Sequence, residues 1–305
     1  MPDPDLDLVR AHAPVTDAFP GLREADDIDR FRLDETQVAH FEEHGYVAGI
    51  RILDDAQVQE LRTRLETLRT RIVEGDARVY EVEAAWRERP DEVVFHFLGA
   101  WMVDAWFHDL IFHPAATVPM AQLLGVERLR FWHDQVFHKP PGHPGCVPWH
   151  QDYSYWTRTT PARHLTLNVV LDDADEENGC IQFVPGSHRW PLQPQVPFDA
   201  DMGRFEEGLP QDLRDAFRPV PIPLNAGEAS IHHSHLVHGS GPNAAGRPRR
   251  ALVLNTMAPH VRVADASRPL LDGVPLIAEG EVVQGDHFPI VLDLTAALRV
   301  APDRS

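Results

Sequence analysis

Apolar residues in the first part of the chain recur every three or four positions, the spacing of helices that bury one face. Val38, Phe41 and His44 follow Asp34, which is suited to cap a helix N-terminus, and Gly45 ends the pattern. A short strand is predicted over residues 46–50. A longer helix is predicted after Asp54 and Asp55 from apolar positions at the same spacing, which are Val58, Leu61, Leu65, Leu68 and Ile72.

From Leu129 the pattern changes to short β-type runs separated by turn residues. The predicted runs are 129–138, 147–153, 164–171, 180–184, 229–237 and 250–257. Many short strands after a helical lead-in indicate a mainly β fold with flanking helices. We therefore predict a double-stranded β-helix (jelly-roll or cupin-like) core preceded by an N-terminal helical region.

The domain organisation follows from the same pattern. Residues 1–30 are acidic and are predicted to form an irregular, partly ordered arm. Residues 31–305 are predicted to form one domain. Its parts are a helical lead-in of about 31–128, a β core of about 129–260 that carries a long insertion at 190–220, and a C-terminal extension at 261–305.

Composition narrows the classes of function. The formal net charge of −19 argues against a nucleic-acid partner, because phosphate backbones are bound by dense Lys and Arg. No run approaches 18 apolar residues, so no membrane span is predicted, and the N-terminus lacks the apolar region of a signal peptide. Two cysteines, Cys146 and Cys180, do not suggest a disulfide scaffold. We expect a cytoplasmic protein that acts on a small molecule; oligomeric state is not indicated.

The triplet His150-Gln151-Asp152 lies in a predicted strand, where residues i and i+2 point to the same face. An imidazole and a carboxylate would then stand side by side, as in the two-histidine, one-carboxylate site of non-haem Fe(II) enzymes. It is the only His-x-Asp triplet in the chain. The nearest rival, His40-Phe41-Glu42, falls in a helical pattern, where positions i and i+2 do not face each other.

A third ligand is sought in the histidine-rich segment 227–240. In a strand, His232 and His238 would share one face, while His233 and His235 would share the other. Spacing alone does not choose among these four histidines.

Several motifs occur in an order that resembles the phytanoyl-CoA dioxygenase (PhyH) family of Fe(II)/2-oxoglutarate-dependent oxygenases. The resemblance covers about residues 33–257. The motifs are Phe41-Glu42-Glu43-His44-Gly45-Tyr46-Val47, Asp134-Gln135 to Lys139-Pro140-Pro141-Gly142, Trp149-His150-Gln151-Asp152, Asn178-Gly179-Cys180, Pro185-Gly186-Ser187-His188, His238-Gly239-Ser240-Gly241-Pro242-Asn243, and Arg249.

The resemblance implies that His150, Asp152 and His238 bind iron and that Arg249 binds the far carboxylate of 2-oxoglutarate. A guanidinium suits this role because it can donate two parallel hydrogen bonds to a carboxylate. Ser240, two residues past His238 on the same strand face, would donate to the same carboxylate. Lys139, the only lysine in the chain, is a further candidate contact to the cosubstrate or to an anionic substrate; the alternative is a surface lysine.

The implied cofactors are Fe(II), 2-oxoglutarate as cosubstrate and O₂, and the implied reaction is hydroxylation of an unactivated C–H bond with release of succinate and CO₂. One departure from the family pattern is Asn168, where many members carry tryptophan, which puts the substrate in doubt. Because Asp152 is present, halogenation is not expected. Five aromatic residues and two arginines suggest a substrate with an apolar body and an anionic group; they are Trp101, Trp106, Tyr153, Tyr155 and Trp156, with Arg158 and Arg163.

Two other classes of function are compatible with a jelly-roll core. In a cupin-like zinc hydrolase or isomerase, the same three ligands would bind Zn²⁺ and activate water. Arg249 and Ser240 argue against it, since a hydrolase needs no anchor for 2-oxoglutarate. A binding protein without catalysis predicts an incomplete ligand set, whereas His150, Asp152 and His238 complete one.

Overall fold

The structure is a computed structural model that describes residues 7–22, 25–75 and 79–297. Its α-helices are α1 (Ala25–Asp29), α2 (Glu35–His44), α3 (Asp55–Glu74), α4 (Ala84–Glu88), α5 (Ala105–Leu110), α6 (Pro114–Leu124), α7 (Gly203–Glu207), α8 (Gln211–Ala216) and α9 (Leu294–Ala297). Its strands are β1 (Tyr46–Arg51), β2 (Glu81–Val82), β3 (Phe95–Leu98), β4 (Arg128–Lys139), β5 (Val147–His150), β6 (Thr159–Thr160), β7 (His164–Val170), β8 (Ile181–Phe183), β9 (Val220–Pro221), β10 (Glu228–His233), β11 (His238–Ser240), β12 (Arg249–Met257), β13 (Arg262–Val263) and β14 (Ile290–Asp293).

The two long N-terminal helices begin where the sequence predicted. The Asp54 side chain accepts a hydrogen bond from the backbone N–H of Gln57, whose side chain in turn accepts from the Asp54 backbone. This reciprocal cap satisfies donors that the first turn leaves open. Helix α2 begins with the same cap at Asp34. All five apolar positions predicted for α3 are buried, which confirms that the helix packs on the protein core.

Two antiparallel sheets form the β core. The larger has the strand order β1-β10-β7-β12-β4-β3-β2, with β14 also paired to β4, and the smaller has the order β5-β11-β8-β9. Buried residues of both sheets, including Val170 and Ala251 from the larger and Phe183 from the smaller, form one cluster between them. The helices α3 and α6 contribute to a second and larger apolar cluster together with the larger sheet. The predicted jelly-roll core with N-terminal helices is confirmed.

Some strand bounds differ from the prediction. The run 147–153 is a strand only as far as His150, and a 3₁₀ turn, Asp152–Tyr155, follows. The run 229–237 is not one strand, because β10 ends at His233 and a turn leads to β11 in the other sheet. The helical lead-in also supplies β1, β2 and β3 to the larger sheet.

The N-terminal arm shows more order than the sequence indicated. A 3₁₀ turn forms at Leu8–Arg10, and the backbone N–H groups of Val15 and Thr16 donate to the buried Asp109 carboxylate at 2.8 and 2.7 Å. The first six residues of the predicted arm lie outside the described residues. The division into an arm and one domain stays a prediction. No helix in the described part of the chain is long and apolar enough to cross a membrane.

Several neutral histidines are buried in the core, and we expect them to make the protein acid-sensitive. Burial lowers the pKa of His96 and His113 to about 4, and that of His133 and His164 to about 3. The unfolded chain takes up these protons near pH 6.5, whereas the folded chain does not. Stability is therefore complete above pH 6.5 and falls as the pH is lowered towards 4, by about 1.4 kcal/mol per histidine per pH unit.

The four histidines together predict a loss of about 4 kcal/mol in the free energy of unfolding between pH 6.5 and 5.5. Urea unfolding of metal-free protein at several pH values measures it. In a His113→Gln variant, which keeps an N–H group to donate to the carbonyl of Ile52, this loss should be smaller by about 1 kcal/mol, the contribution of one histidine. A free energy of unfolding that is flat from pH 7.5 to 5.5 would contradict the expectation.

Candidate metal centre and adjoining cavities

The structure brings His150, Asp152 and His238 together, with one ligand atom from each within 4.8 Å of the others. Strand pairing explains the meeting, since His238 at the start of β11 lies opposite His150 at the end of β5. Asp152 begins the 3₁₀ turn that follows β5. The predicted pairing of His150 with Asp152 is thus present, although a turn rather than a continuous strand creates it.

Both histidines of the cluster present the same ring nitrogen to its centre. The Nδ1–H of His150 donates to the carbonyl of Pro148 at 2.7 Å, and that of His238 donates to the carbonyl of Leu236 at 2.9 Å. Each Nε2 therefore carries a free lone pair directed at Asp152. A metal-binding histidine needs its other nitrogen fixed in this way.

The Asp152 carboxylate is held as an anion. Burial alone would raise its pKa, but the facing His238, the nearby His150 and the hydrogen bond with His232 outweigh burial and hold the pKa well below its usual range. Two neutral imidazoles and one carboxylate form the donor set that suits a divalent metal such as Fe(II) or Zn²⁺. The residues present therefore fit a metal ion.

Two cavities meet at this cluster. A wide cleft of about 560 Å³ opens to the surface, and a narrow cavity of about 50 Å³ continues into the β core. Both contain His150 and Asp152 in their walls, together with Gln135, Phe137 and Val147. The narrow cavity extends past His238 and Ser240 to Arg249.

Arg249 is the first residue of β12, and it is 3% exposed. Within the described chain its guanidinium has no salt bridge, and its Nε has no hydrogen-bond partner. Burial lowers its pKa to about 10, so it remains a cation at neutral pH. A buried cation without a partner is costly, so this arrangement indicates a site for an anion.

Lys139 lies opposite Arg249 in the β4–β12 pair and is fully buried, so it is not a surface lysine. Its Nζ donates to the Ser240 carbonyl at 3.1 Å, to the Ser240 hydroxyl at 2.7 Å and to the Gly241 carbonyl. The Ser240 hydroxyl donates in turn to the carbonyl of Gly179 at 2.8 Å. Burial, followed by the nearby Arg249, lowers the pKa of Lys139 well below its usual value.

Turns that the sequence singled out brace the cluster from outside. The Ser187 hydroxyl accepts from the N–H of Val237 at 2.8 Å, one residue before His238, which supports a structural role for the 185–188 turn. Gly179 has a positive φ of 74°, and a Cβ there would lie 2.4 Å from the carbonyl oxygen of Gly241. Only glycine fits this contact, and it leaves the Gly179 carbonyl beside the Ser240 hydroxyl, from which it accepts.

Several residues of interest lie elsewhere. His188, His233 and His235 do not join the metal cluster. Of the aromatic side chains considered for the substrate, Tyr155 and Trp156 line the wide cleft, whereas Trp101, Trp106 and Tyr153 do not. Strand β3 contributes His96 and Leu98 to the cleft instead, because it pairs with β4 beside the cleft.

Two residues that sequence reasoning missed contact Asp152. The Thr166 hydroxyl lies 2.6 Å from its Oδ2, and His232 Nε2 lies 3.1 Å from the same oxygen. His232 belonged to the histidine-rich segment, so its spacing gave a partial signal. Thr166 gave none, because its position depends on the pairing of β7 with β10 and β12. Asn168, which the sequence marked as a departure from the family pattern, lines the narrow cavity.

Comparison with known proteins places this site in a family. The family model described as phytanoyl-CoA dioxygenase (PhyH) matches residues 41–251, more than half of the chain. The chain belongs to the phytanoyl-CoA dioxygenase family. The predicted resemblance is therefore confirmed, and the matched residues include all three members of the metal cluster and Arg249.

Curated relatives within this family match over part of their length. One is a probable alpha-ketoglutarate-dependent hypophosphite dioxygenase from Stutzerimonas stutzeri, 32% identical over 43% of this chain and 46% of the relative. Another is phytanoyl-CoA dioxygenase domain-containing protein 1 from Bos taurus, 30% identical over 48% of this chain and 50% of the relative. The chain thus spans about half the length of the curated relatives it matches.

Solved structures of similar fold cover more of the chain. The non-heme alpha ketoglutarate dependent carbocyclase SnoK from nogalamycin biosynthesis has a TM-score of 0.67 and 22% identity, over 89% of this chain and 99% of that one. EvdO2 from Micromonospora carbonacea var. aurantiaca, solved with 2-oxoglutarate, has a TM-score of 0.58 and 25% identity, over 78% of this chain and 96% of that one. The first likeness shows the fold alone.

Proposed function

We propose that this family member is an Fe(II)/2-oxoglutarate-dependent dioxygenase that hydroxylates an unactivated C–H bond of a small molecule, with release of succinate and CO₂. The observation that carries the proposal is the buried guanidinium of Arg249, which has no salt bridge among the described residues and lies at the end of a narrow cavity that begins at the metal cluster. A ligand with a metal-chelating end and a carboxylate at its far end matches both termini of that cavity. 2-Oxoglutarate has this form.

The proposed roles follow the geometry. His150, Asp152 and His238 would hold Fe(II), which with 2-oxoglutarate and O₂ supplies the oxidising power for C–H cleavage. Arg249 would donate to the far carboxylate. Lys139, whose Nζ donates to Ser240 and Gly241, would orient Ser240. The single hydroxyl hydrogen of Ser240 is directed at Gly179 rather than into the cavity. Buried walls on the narrow cavity would exclude water from the reacting atoms.

A zinc hydrolase or isomerase remains the alternative, but no feature of the site favours it. Water activation by a zinc ion requires only the metal and access for the substrate. It would not explain a buried arginine at the end of a separate cavity. The oxygenase proposal gives that cation a counter-charge. Titration with Fe(II) and 2-oxoglutarate separates these two functions, because only the oxygenase is expected to chelate 2-oxoglutarate at the metal.

The wide cleft indicates a polar substrate without a large anionic group. Besides Asp152 of the metal cluster, four carboxylates line it, namely Glu81, Glu83, Asp199 and Asp272, against two arginines, Arg158 and Arg268. The Arg158 guanidinium already donates to the backbone carbonyls of Arg268, Pro269 and Leu270. Arg163 lies outside the described lining of the cleft and donates to the carbonyl of Leu124. These contacts do not support the anionic group suggested by the sequence, and they disfavour a coenzyme A thioester.

Anaerobic titration with Fe(II) and then 2-oxoglutarate tests the proposed function. We expect the native protein to give the visible charge-transfer band of chelated 2-oxoglutarate, and the His238→Ala variant to lose it. The matched control is His235→Ala, which changes a histidine of the same segment that packs on Tyr153 outside the cluster. Absence of the band in folded, metal-loaded native protein, or its loss in both variants, would contradict the assignment.

A further inference from the structure

The two oxygens of Asp152 have different surroundings. Oδ1 faces the metal ligands, at 3.4 Å from His150 Nε2 and 3.6 Å from His238 Nε2. Oδ2 points away from them and is 2.6 Å from the Thr166 hydroxyl and 3.1 Å from His232 Nε2. One oxygen is therefore available to a metal, while the other is already engaged by two side chains.

The His232 ring can be assigned from its contacts. An ionised carboxylate only accepts hydrogen bonds, so the Nε2 that faces Asp152 carries the hydrogen. Nδ1 is then an acceptor, and it is buried without a partner among the described residues. The ring lies between His238 and Phe183, with centroid distances of 4.3 and 5.1 Å.

An apolar side chain at position 232 would fill the same space and leave no unpaired buried atom. Packing alone therefore does not account for a histidine on this inward-facing position of β10. The hydrogen bond from its Nε2 to Asp152 does account for it.

Thr166 extends the contacts of Asp152 to the wide cleft. Its hydroxyl also lies 2.8 Å from the Asn255 side chain, and its one hydrogen goes to the carboxylate, the stronger acceptor. The Asn255 atom beside Thr166 is Oδ1, and the Asn255 Nδ2 lies 3.2 Å from His133 Nδ1. His133 lines the cleft, so the chain of polar contacts reaches from Asp152 to the proposed substrate site.

We propose that His232 and Thr166 are positioning residues that restrict Asp152 to a single metal-binding oxygen. With Oδ2 released, the carboxylate could bind a metal through both oxygens and occupy a position that the cosubstrate or O₂ needs. The two side chains thus keep that position open. This inference rests on the proposed function, because it assigns the freed position to 2-oxoglutarate and O₂.

Two pairs of variants test the inference. His232→Leu and Thr166→Val remove the hydrogen bonds at similar volume, whereas His232→Gln and Thr166→Ser keep a donor. Co(II) serves as the probe metal, with its dissociation constant and visible spectrum measured, and melting of the metal-free protein is followed in parallel. We expect His232→Leu and Thr166→Val to weaken Co(II) binding by about 10- to 100-fold and to alter the spectrum.

His232→Gln and Thr166→Ser should restore the Co(II) affinity and the visible spectrum at least in part. Metal-free His232→Leu should melt no lower than native protein. Native Co(II) affinity and spectrum in His232→Leu and Thr166→Val would overturn the inference. So would a lower melting temperature of metal-free His232→Leu with an unchanged spectrum, since that indicates a packing role. If native protein shows no 2-oxoglutarate band, the proposed function fails, and the Co(II) measurements still decide whether the two residues position Asp152.

Discussion

Replacing Asp152 by alanine is expected to abolish succinate formation and to raise the dissociation constant for Fe(II) by about a thousandfold. The substitution removes the only charge of the proposed ligand set. It also leaves His232 and Thr166 without their shared acceptor, and His150 and His238 without the carboxylate between them. Succinate release and a Co(II) titration measure the two effects.

Two controls sharpen this prediction. Asp152→Asn keeps the shape and one acceptor oxygen but removes the charge, so its metal affinity should fall between those of native protein and Asp152→Ala. Asp212→Ala changes an exposed carboxylate on α8 and should leave both measurements unchanged. Native metal affinity in folded Asp152→Ala would rule out Asp152 as a ligand.

Replacing Arg249 by leucine is expected to raise the dissociation constant for 2-oxoglutarate by at least about a hundredfold while metal affinity stays near native. The guanidinium is the cation at the end of the narrow cavity, and its Nε has no other partner among the described residues. Arg249→Lys keeps the charge but not the paired donors, so an intermediate dissociation constant is expected. Titration of the visible band with 2-oxoglutarate gives all three values.

The same leucine variant should be more stable than native protein when no ligand is bound. Removing a buried cation that lacks a partner relieves its desolvation cost, and we expect the melting temperature to rise by about 2–5 °C. Added 2-oxoglutarate should then stabilise the native protein and not the variant. A variant that melts lower than native protein and binds 2-oxoglutarate normally would show that Arg249 only supports the sheet.

Local patterns predicted the elements that depend on neighbours in sequence. The caps at Asp34 and Asp54 and the apolar face of α3 need only residues within one or two helical turns, and these predictions are confirmed. The strand pattern gave the jelly-roll class for the same reason. It did not give the break after His150 or the turn before His238, since both depend on which sheet each segment joins.

The predicted metal residues meet in the structure, but their environment was beyond the sequence. His232 is 80 residues from Asp152, and its contact arises because β10 and β5 lie in facing sheets. Lys139 could be placed near Arg249 only through the register of β4 with β12. The Lys139 side chain is buried rather than exposed because the 239–241 segment lies against it and supplies the carbonyls that accept from its Nζ.

The segment between the 185–188 turn and β10 is fixed at both ends. Gly186 donates to the carbonyl of His44 at one end, and the carbonyl of Gly227 accepts from Ile52 and Leu53 at the other. In between, Gln195, Pro197, Phe198 and Asp199 form part of the cleft wall. Changes of length around 197–199, outside the residues of this segment that pack on Trp149 and Val237, can therefore reshape the cleft without moving His238 or Arg249. In evolutionary terms, new substrates can be acquired here at little risk to the chemistry.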